Sequence, residues 1–310
     1  RYDFIFFLTL LSFLFINIFF YRIAEHGTDR SAQILILILF IEVFSLYRKS
    51  AIIEKLFSKI FILLGLIITL KAFYVLYLLI LIPVFFHFRK NNLFLNFFKN
   101  FYFYLFCSIG FLLMLINIFN SGCILYPVNI TCFSNFEWSL FNEAKSSNDW
   151  YEQWAKAGAG PNHRVDNPEN YIKGFNWVAN WIDMYFFNKV SDFIIGLLIL
   201  LLIVNFTFKS KNKNNVKIKK QNYLVYSITI ILFFEWFYNH PSLRYGGFSL
   251  IALIIFMPFS IYISKFISIK YFKEKIIFLI VLSLVIFVGR NVNRIHYEVK
   301  KYNYHLFSYP

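Results

Sequence analysis

The sequence is short of charge. Only 15% of its 310 residues are Asp, Glu, Lys or Arg, against about 25% in an ordinary soluble domain. A chain so composed lacks what it needs to cover a water-facing surface, which excludes a soluble enzyme and a nucleic-acid-binding domain. Three cysteines are too few for a secreted disulfide scaffold. No Gly-rich phosphate loop and no paired nucleotide-binding domain occur, so an ATP-driven pump is excluded. No internal repeat and no pair of Gly/Pro-broken spans is visible, and with them goes the usual pattern of a secondary transporter. Acids are scarce as well: 16 against 31 bases, for a formal net charge of +15. The excess of Phe, Ile, Asn, Lys and Tyr is what AT-rich coding produces, so this charge is no sign of a nucleic-acid partner.

What the chain has instead is apolar residues, 59% of the total, gathered into blocks too long for core strands. A bilayer core about 30 Å thick takes roughly 20 residues of helix. Leu8–Phe20, Ile34–Leu46, Phe101–Phe119, Ile194–Phe208, Leu224–Phe237 and Ile276–Val288 read as such spans or their centres. Residues 56–88 are too long for one span and are expected to hold two, hinged near Lys71. Pro83 and Pro258 fall within spans, where neighbouring groups re-satisfy the backbone. The expectation is an all-α, polytopic membrane protein of about nine transmembrane helices with one large extracytoplasmic loop. Its expected divisions are N-terminal membrane helices over 1–119, the loop over 120–192, C-terminal membrane helices over 193–289 and an extracytoplasmic tail over 290–310. Residue 1 is Arg and a span follows at once, so the true N-terminus is expected to lie upstream.

Charge sets the expected orientation. The short loops carrying Arg48, Lys49 and Lys55, then Arg89, Lys90 and Lys99, then Lys209 to Lys220, then Lys265 to Lys275, hold only Glu54 and Glu274 as acids. Lys/Arg-rich short loops face the cytoplasm. The segments between them, 22–33, 120–192, 239–246 and the tail, then face outward from a bacterial cytoplasmic (inner) membrane.

The 120–192 loop holds five of the six tryptophans, Trp138, Trp150, Trp154, Trp177 and Trp181. Cys123 and Cys132 lie nine apart on the expected oxidising side, where a disulfide would contribute roughly 2–3 kcal/mol; Cys107 sits inside a span. Ser147–Ala157 and Asn170–Phe187 read as helices separated by a Gly/Pro stretch. The second places Phe175, Val178, Ile182 and Tyr185 at helical spacing beside Trp177 and Trp181. It is expected to lie on the outer membrane surface, with its aromatic rings at headgroup level or stacking on sugar.

Ionisable groups are few, and the useful ones fall on the expected outer side. Glu25 and Asp29 are four apart, on one face if a helix starts there, and either is a candidate general base. Thr28 as a helix cap and Asp29 in the first turn is the competing structural reading. Arg244, with His240 and Tyr245 on the same short loop, is a candidate phosphate clamp. Lys71 at the outer hinge, Arg164 in mid-loop and Trp177 complete the candidate substrate-binding residues. Glu235 lies one turn inside the membrane, and Arg290 and Arg294 follow the last span. His163 and Asp166 lack a second ligand at metal spacing. No metal site and no resident cofactor are expected, with a divalent ion left open.

This pattern resembles the C-class, polyprenyl-phosphate-sugar-dependent multi-span glycosyltransferases and related uncharacterised bacterial surface-polysaccharide membrane proteins. The resemblance rests on His240-Pro-Ser-Leu-Arg244-Tyr245, followed by a span containing Pro258, and on the acidic loop Glu25–Asp29. It implies a carboxylate that activates the acceptor and basic residues that hold the lipid phosphate, roles that fall on Glu25 or Asp29 and on Arg244 and His240. The hallmark Asp of that family's first outer loop is expected upstream of residue 1. The function so implied is transfer of a sugar from a polyprenyl-phosphate carrier to a glycan or lipid acceptor, in cell-surface polysaccharide or lipid glycosylation. The partners are membrane lipids, the carrier-linked sugar and the acceptor, with no nucleic acid. The alternatives are an O-antigen-type polysaccharide polymerase or ligase, a lipid-oligosaccharide transporter, and a scaffold in an assembly complex.

Overall fold

A computed structural model describes residues 3–22, 27–48, 53–90, 93–160, 165, 167–210, 219–266 and 271–302. Among them there is no strand, only an isolated bridge between Cys123 and Cys132. Helix α1 spans Phe4–Phe19, α2 Asp29–Arg48 and α3 Ile53–Leu70. After the extended Lys71, a 3-10 helix Ala72–Ile80 runs into α4, Leu81–Lys90. The short α5, Phe94–Lys99, leads to α6, Phe101–Ser121. The polar stretch carries α7, Phe141–Lys156, and α8, Pro168–Ile172. Helix α9, Val178–Trp181, continues through a π-helical segment Ile182–Val190 into α10, Ser191–Phe208. Helices α11, Lys220–Asn239, α12, Gly247–Lys265, and α13, Phe272–Tyr302, complete the chain.

Local chemistry sets several of these ends. Asp3 accepts from the Phe6 amide at 3.3 Å and caps α1. Asn100 caps α6 through the Tyr102 amide at 2.9 Å. Gly122, in the left-handed region at φ +71°, closes α6 with its amide on the Ile118 carbonyl. Ala or any larger residue there would strain the backbone and press on Ser139.

Six helical runs are long and apolar enough to cross a membrane: 29–48, 72–90, 101–121, 178–208, 247–265 and 272–302. The expected nine are thus not all matched. Helix α1 has 16 residues, short of the roughly 20 a straight crossing takes. Helix α3 carries three charges, Glu54, Lys55 and Lys59, and α11 carries charges and amides that lower its hydropathy. The break at Lys71 falls where the sequence predicts it, because the extended Lys71 separates α3 from the next helical run.

The long helices turn large apolar residues outward. On α6 these include Phe101, Phe111, Leu112, Ile116 and Phe119, and on α10 Leu198, Ile199, Leu202 and Phe206. A monomeric soluble protein rarely exposes such continuous apolar surface. Together with the six long helices, it marks a membrane protein.

The chain divides into two compact units. The first comprises residues 1–31, 197–216 and 256–310, the second 32–196 and 217–255. In the first, α1 packs on α13, and Phe7 meets the rings of Phe208 and Phe272 at 5.5 and 6.4 Å. In the second, α3 packs on α6, with Phe61 between Phe103 and Phe106. Gly65 faces α6, where a Cβ would sit in ordinary contact with Ile109 at 3.5 Å.

Cys123 and Cys132 are disulfide-bonded, as the sequence predicts. Around the bridge the Ile124 amide bonds the Thr131 carbonyl at 3.0 Å and the Phe133 amide the Gly122 carbonyl at 2.8 Å. The single surface helix expected over 170–187 is instead broken at 173–177, between α8 and α9. Part of its aromatic stripe is covered by protein: Trp177, Trp181 and Tyr185 are buried inside the second unit, where their polar atoms find protein partners.

Replacing Cys123 and Cys132 together by Ser should lower stability by about 2–3 kcal/mol, since a covalent loop closure is lost. The readout is the thermal unfolding midpoint of the full chain in detergent, with and without reductant. A reductant-insensitive wild type would contradict this.

Candidate functional site

The site is built on the turn between α11 and α12, residues 240–246, in the second unit. An apolar surrounding leaves no water to satisfy a turn's backbone, and here buried side chains supply the partners. Trp181 donates its indole N–H to the Pro241 carbonyl at 2.8 Å, and Trp236 donates to the Ser242 carbonyl at 2.9 Å. Gln33, fully buried on α2, donates to the Arg244 carbonyl at 3.0 Å and more loosely to that of Leu243 at 3.4 Å. Its own oxygen accepts from the Ser249 amide at 3.0 Å. The Tyr185 hydroxyl accepts from the Leu243 amide at 2.9 Å. The Gly246 carbonyl receives the Ser249 hydroxyl and the Leu250 amide, both at 3.0 Å. Two glycines make room: Gly246 adopts φ +107°, and Gly247 lies so close to the Trp236 ring that any Cβ would displace it.

With its backbone so held, the turn presents His240, Arg244 and Tyr245, all partly exposed. The Tyr245 ring is the floor of the cluster. The Lys71 ammonium lies 5.0 Å from its centroid and the Arg244 guanidinium 5.7 Å. Trp154, at the end of α7, packs edge-on to Tyr245 at 5.8 Å, with Arg244 also 5.8 Å from the Trp154 ring. His240 sits edge-on at 5.9 Å on the same tyrosine and 6.1 Å from Phe73. Four of the residues singled out from the sequence, Lys71, His240, Arg244 and Tyr245, are thus brought together. Two cations over one aromatic floor can hold an anion and orient it.

His240 is kept neutral. Burial pushes its pKa down to about 4, and the positive charge of Lys156 acts in the same direction. Its Nδ1 is buried without a hydrogen-bond partner among the described residues. One turn earlier, Glu235 accepts from the Asn239 amide at 2.8 Å through Oε1, while Oε2 is buried with no such partner.

The remaining candidates fall elsewhere. Trp177 is fully buried and donates its indole N–H to the Gly174 carbonyl at 3.0 Å, so its ring is closed to a sugar. What covers it is Lys156, a buried lysine whose ammonium lies 5.3 Å from the Trp177 ring and 5.0 Å from that of Tyr238. Lys156 also pairs with Glu152 and donates to the Ile172 carbonyl at 3.0 Å, tying α7 to α8. Burial lowers its pKa, with Glu152 acting in the opposite direction. Asp29 opens α2 in the first unit and is buried at 1% exposure, a place that suits the positive end of the helix dipole. Because α2 begins only at Asp29, the helix that would set Glu25 on the same face is absent from the described 27–48 stretch. Glu25 and Arg164 lie outside the described residues, as do His163 and Asp166. No group of three His, Cys, Asp or Glu side chains converges among the described residues.

Sequence reasoning missed Gln33, Lys156, Tyr185 and Trp236 as parts of this site. A lone amide in an apolar run was the available signal for Gln33; nothing local distinguishes Lys156 from a solvated lysine.

Gln33→Leu keeps the volume but leaves the Arg244 carbonyl and the Ser249 amide without their partner, at about 1–3 kcal/mol for each buried group. A clear drop in thermal midpoint is expected, and an unchanged midpoint would show that the turn holds without Gln33. His240 predicts a pH dependence. In the unfolded chain it titrates near 6.5 and in the folded chain near 4. Below about 6.5 the unfolded state therefore binds a proton that the folded state refuses, and stability falls as pH drops toward 4, by roughly 3 kcal/mol in full. His240→Gln should flatten that part of the midpoint-against-pH curve relative to wild type.

Neither curated proteins nor solved structures yield a match to this chain. A family model does, over residues 2–252, a stretch that takes in Lys71, the α7 helix and the whole 240–246 turn. Matched over most of its length, the chain belongs to the DUF8201 family, a domain of unknown function.

Proposed function

We propose that the protein is an integral membrane glycosyltransferase that uses a polyprenyl-phosphate-linked sugar at the outer face of a bacterial cytoplasmic membrane. The observation that carries this reading is the meeting of Lys71 and Arg244 over the Tyr245 ring, on a turn whose backbone is held by buried donors. In this reading the helices α1 to α4, α6 and α10 to α13 give nine crossings, counting the two arms of the Lys71 hinge separately. The α7 to α8 segment lies on the extracytoplasmic side, and the turn sits at headgroup depth, where a carrier phosphate is found.

The reaction breaks the bond between the sugar's anomeric carbon and the phosphate oxygen and forms one to an acceptor hydroxyl oxygen. The hydroxyl proton passes to a carboxylate, and polyprenyl phosphate leaves with the electron pair. Negative charge grows on the leaving phosphate, and the Arg244 guanidinium and Lys71 ammonium offset it from fixed positions. A neutral His240 adds a ring nitrogen that donates without a charge to desolvate. The acidic-loop resemblance gives that role to Glu25 or Asp29; within the second unit, Glu235 keeps Oε2 buried with no hydrogen-bond partner among the described residues.

Arg244→Ala and Lys71→Ala should each weaken binding of polyprenyl phosphate by at least about tenfold, the worth of a charge-assisted hydrogen bond, with membrane insertion intact. Binding is measured on the full chain in nanodiscs, and sugar transfer on membranes supplied with carrier-linked sugars. Wild-type binding and transfer in both variants would remove the site. Loss of transfer in Asp29→Asn or in Glu235→Gln, with carrier binding kept, identifies the base. Transfer retained in both favours the polymerase or ligase reading, which relies on basic residues.

A further inference from the structure

The first unit carries a separate cleft where α1 ends against α13. Tyr21, Arg22, Arg290, Asn293, Arg294 and Tyr297 line a space of about 290 Å³. Residues 290, 294 and 298 are successive turns of one helix face, and that face meets the end of α1. Arg290 donates to the Ile18 carbonyl at 2.6 Å and lies 3.8 Å over the Tyr21 ring. Asn291 donates to the Tyr21 carbonyl at 3.2 Å. Arg22 reaches Glu298 at 3.8 Å. These contacts fix the walls, and Arg22, Arg290 and Arg294 all line the cleft.

Arg294 is different. Its one hydrogen bond among the described contacts is a long one to Asn291, 3.5 Å, and its Nε is buried with no hydrogen-bond partner there. A buried guanidinium N–H without an acceptor is costly, and an acceptor arriving in the cleft would remove that cost. The level of the cleft says what the acceptor is. The apolar run of α1 ends at Phe20 and that of α13 at Val288, so the arginines and the two tyrosines stand where a membrane's headgroups lie. Helix α13, at 31 residues, is about 46 Å long and outlasts the bilayer core, which lets its polar half form one wall.

We infer that this cleft binds a phosphate group at the membrane surface, with Arg294 as the principal donor and Arg290 and Arg22 as the flanking charge. Planar guanidinium forks match phosphate oxygens in pairs. The inference does not rest on the glycosyl-transfer reading, since it involves none of the residues of the Arg244 turn.

The test is titration of the full chain in detergent with short-chain phosphatidic acid and, separately, with inorganic pyrophosphate. It is run on wild type and on Arg244→Ala, so that the other basic site does not contribute. Arg294→Gln should weaken binding by about tenfold or more, and Arg294→Lys, which keeps the charge and loses the fork, by less. Lys300→Gln with Lys301→Gln should leave it unchanged. Arg294→Gln spares the Arg290 and Asn291 contacts that hold α1 on α13, and its thermal midpoint reports whether it folds. Binding of phosphatidic acid alone supports a lipid source, and binding of pyrophosphate a soluble one. Absence of binding by either probe overturns the inference. So does wild-type affinity in a folded Arg294→Gln, or an equal loss in the lysine double variant.

Discussion

A peptide group inside a membrane-embedded protein must find its hydrogen-bond partner within the protein, and the 240–246 turn meets that demand with side chains. Two indole N–H groups, one tyrosine hydroxyl and one glutamine amide hold the carbonyls and an amide of a segment that no helix can satisfy. Each of these side chains is itself buried, so none has water as an alternative. The turn is therefore held from several sides, and the directions of His240, Arg244 and Tyr245 follow from its backbone. Gly246 and Gly247 belong to the same constraint: the first holds φ +107°, and the second lies where a Cβ would run into the Trp236 ring.

Lys156 does for the polar segment what the indoles do for the turn. A lysine with no exposed surface costs desolvation, offset here by Glu152, the Ile172 carbonyl and two aromatic faces. Its charge reaches His240, so the segment that brings Trp154 to the site also helps keep that imidazole neutral. The candidate cluster thus draws on the hinge at Lys71, the end of α7 and the turn before α12, three places far apart in the chain.

Much of the helical layout is legible in the sequence. The Lys71 hinge follows from a run too long for one crossing, and the Cys123–Cys132 bridge from spacing and expected compartment. The basic turn residues stand out because charge is so rare here. The partners of the turn do not stand out, for a physical reason. In a lipid-facing chain both the inward and the outward faces of a helix are apolar, so periodicity cannot say which tryptophan is buried. Composition places Trp177 and Trp181 at a membrane surface; in the structure they close the inside of the second unit. Trp236 gives no local signal that distinguishes a donor to a turn from an ordinary core residue, and the amide of Gln33 at the head of its apolar run does not say which partner it meets.

Composition and charge order alone determined that the chain is helical, apolar outside and punctuated by basic loops, because a bilayer admits little else at this length. Which side chains share a site was decided by tertiary structure. Lys71, His240, Arg244 and Tyr245 converge only once the 3-10 run that follows Lys71 packs against α11, since sequence distance carries no information about proximity across helices. The same holds for Arg22 and Arg294, which become neighbours only where α1 stops and α13 continues.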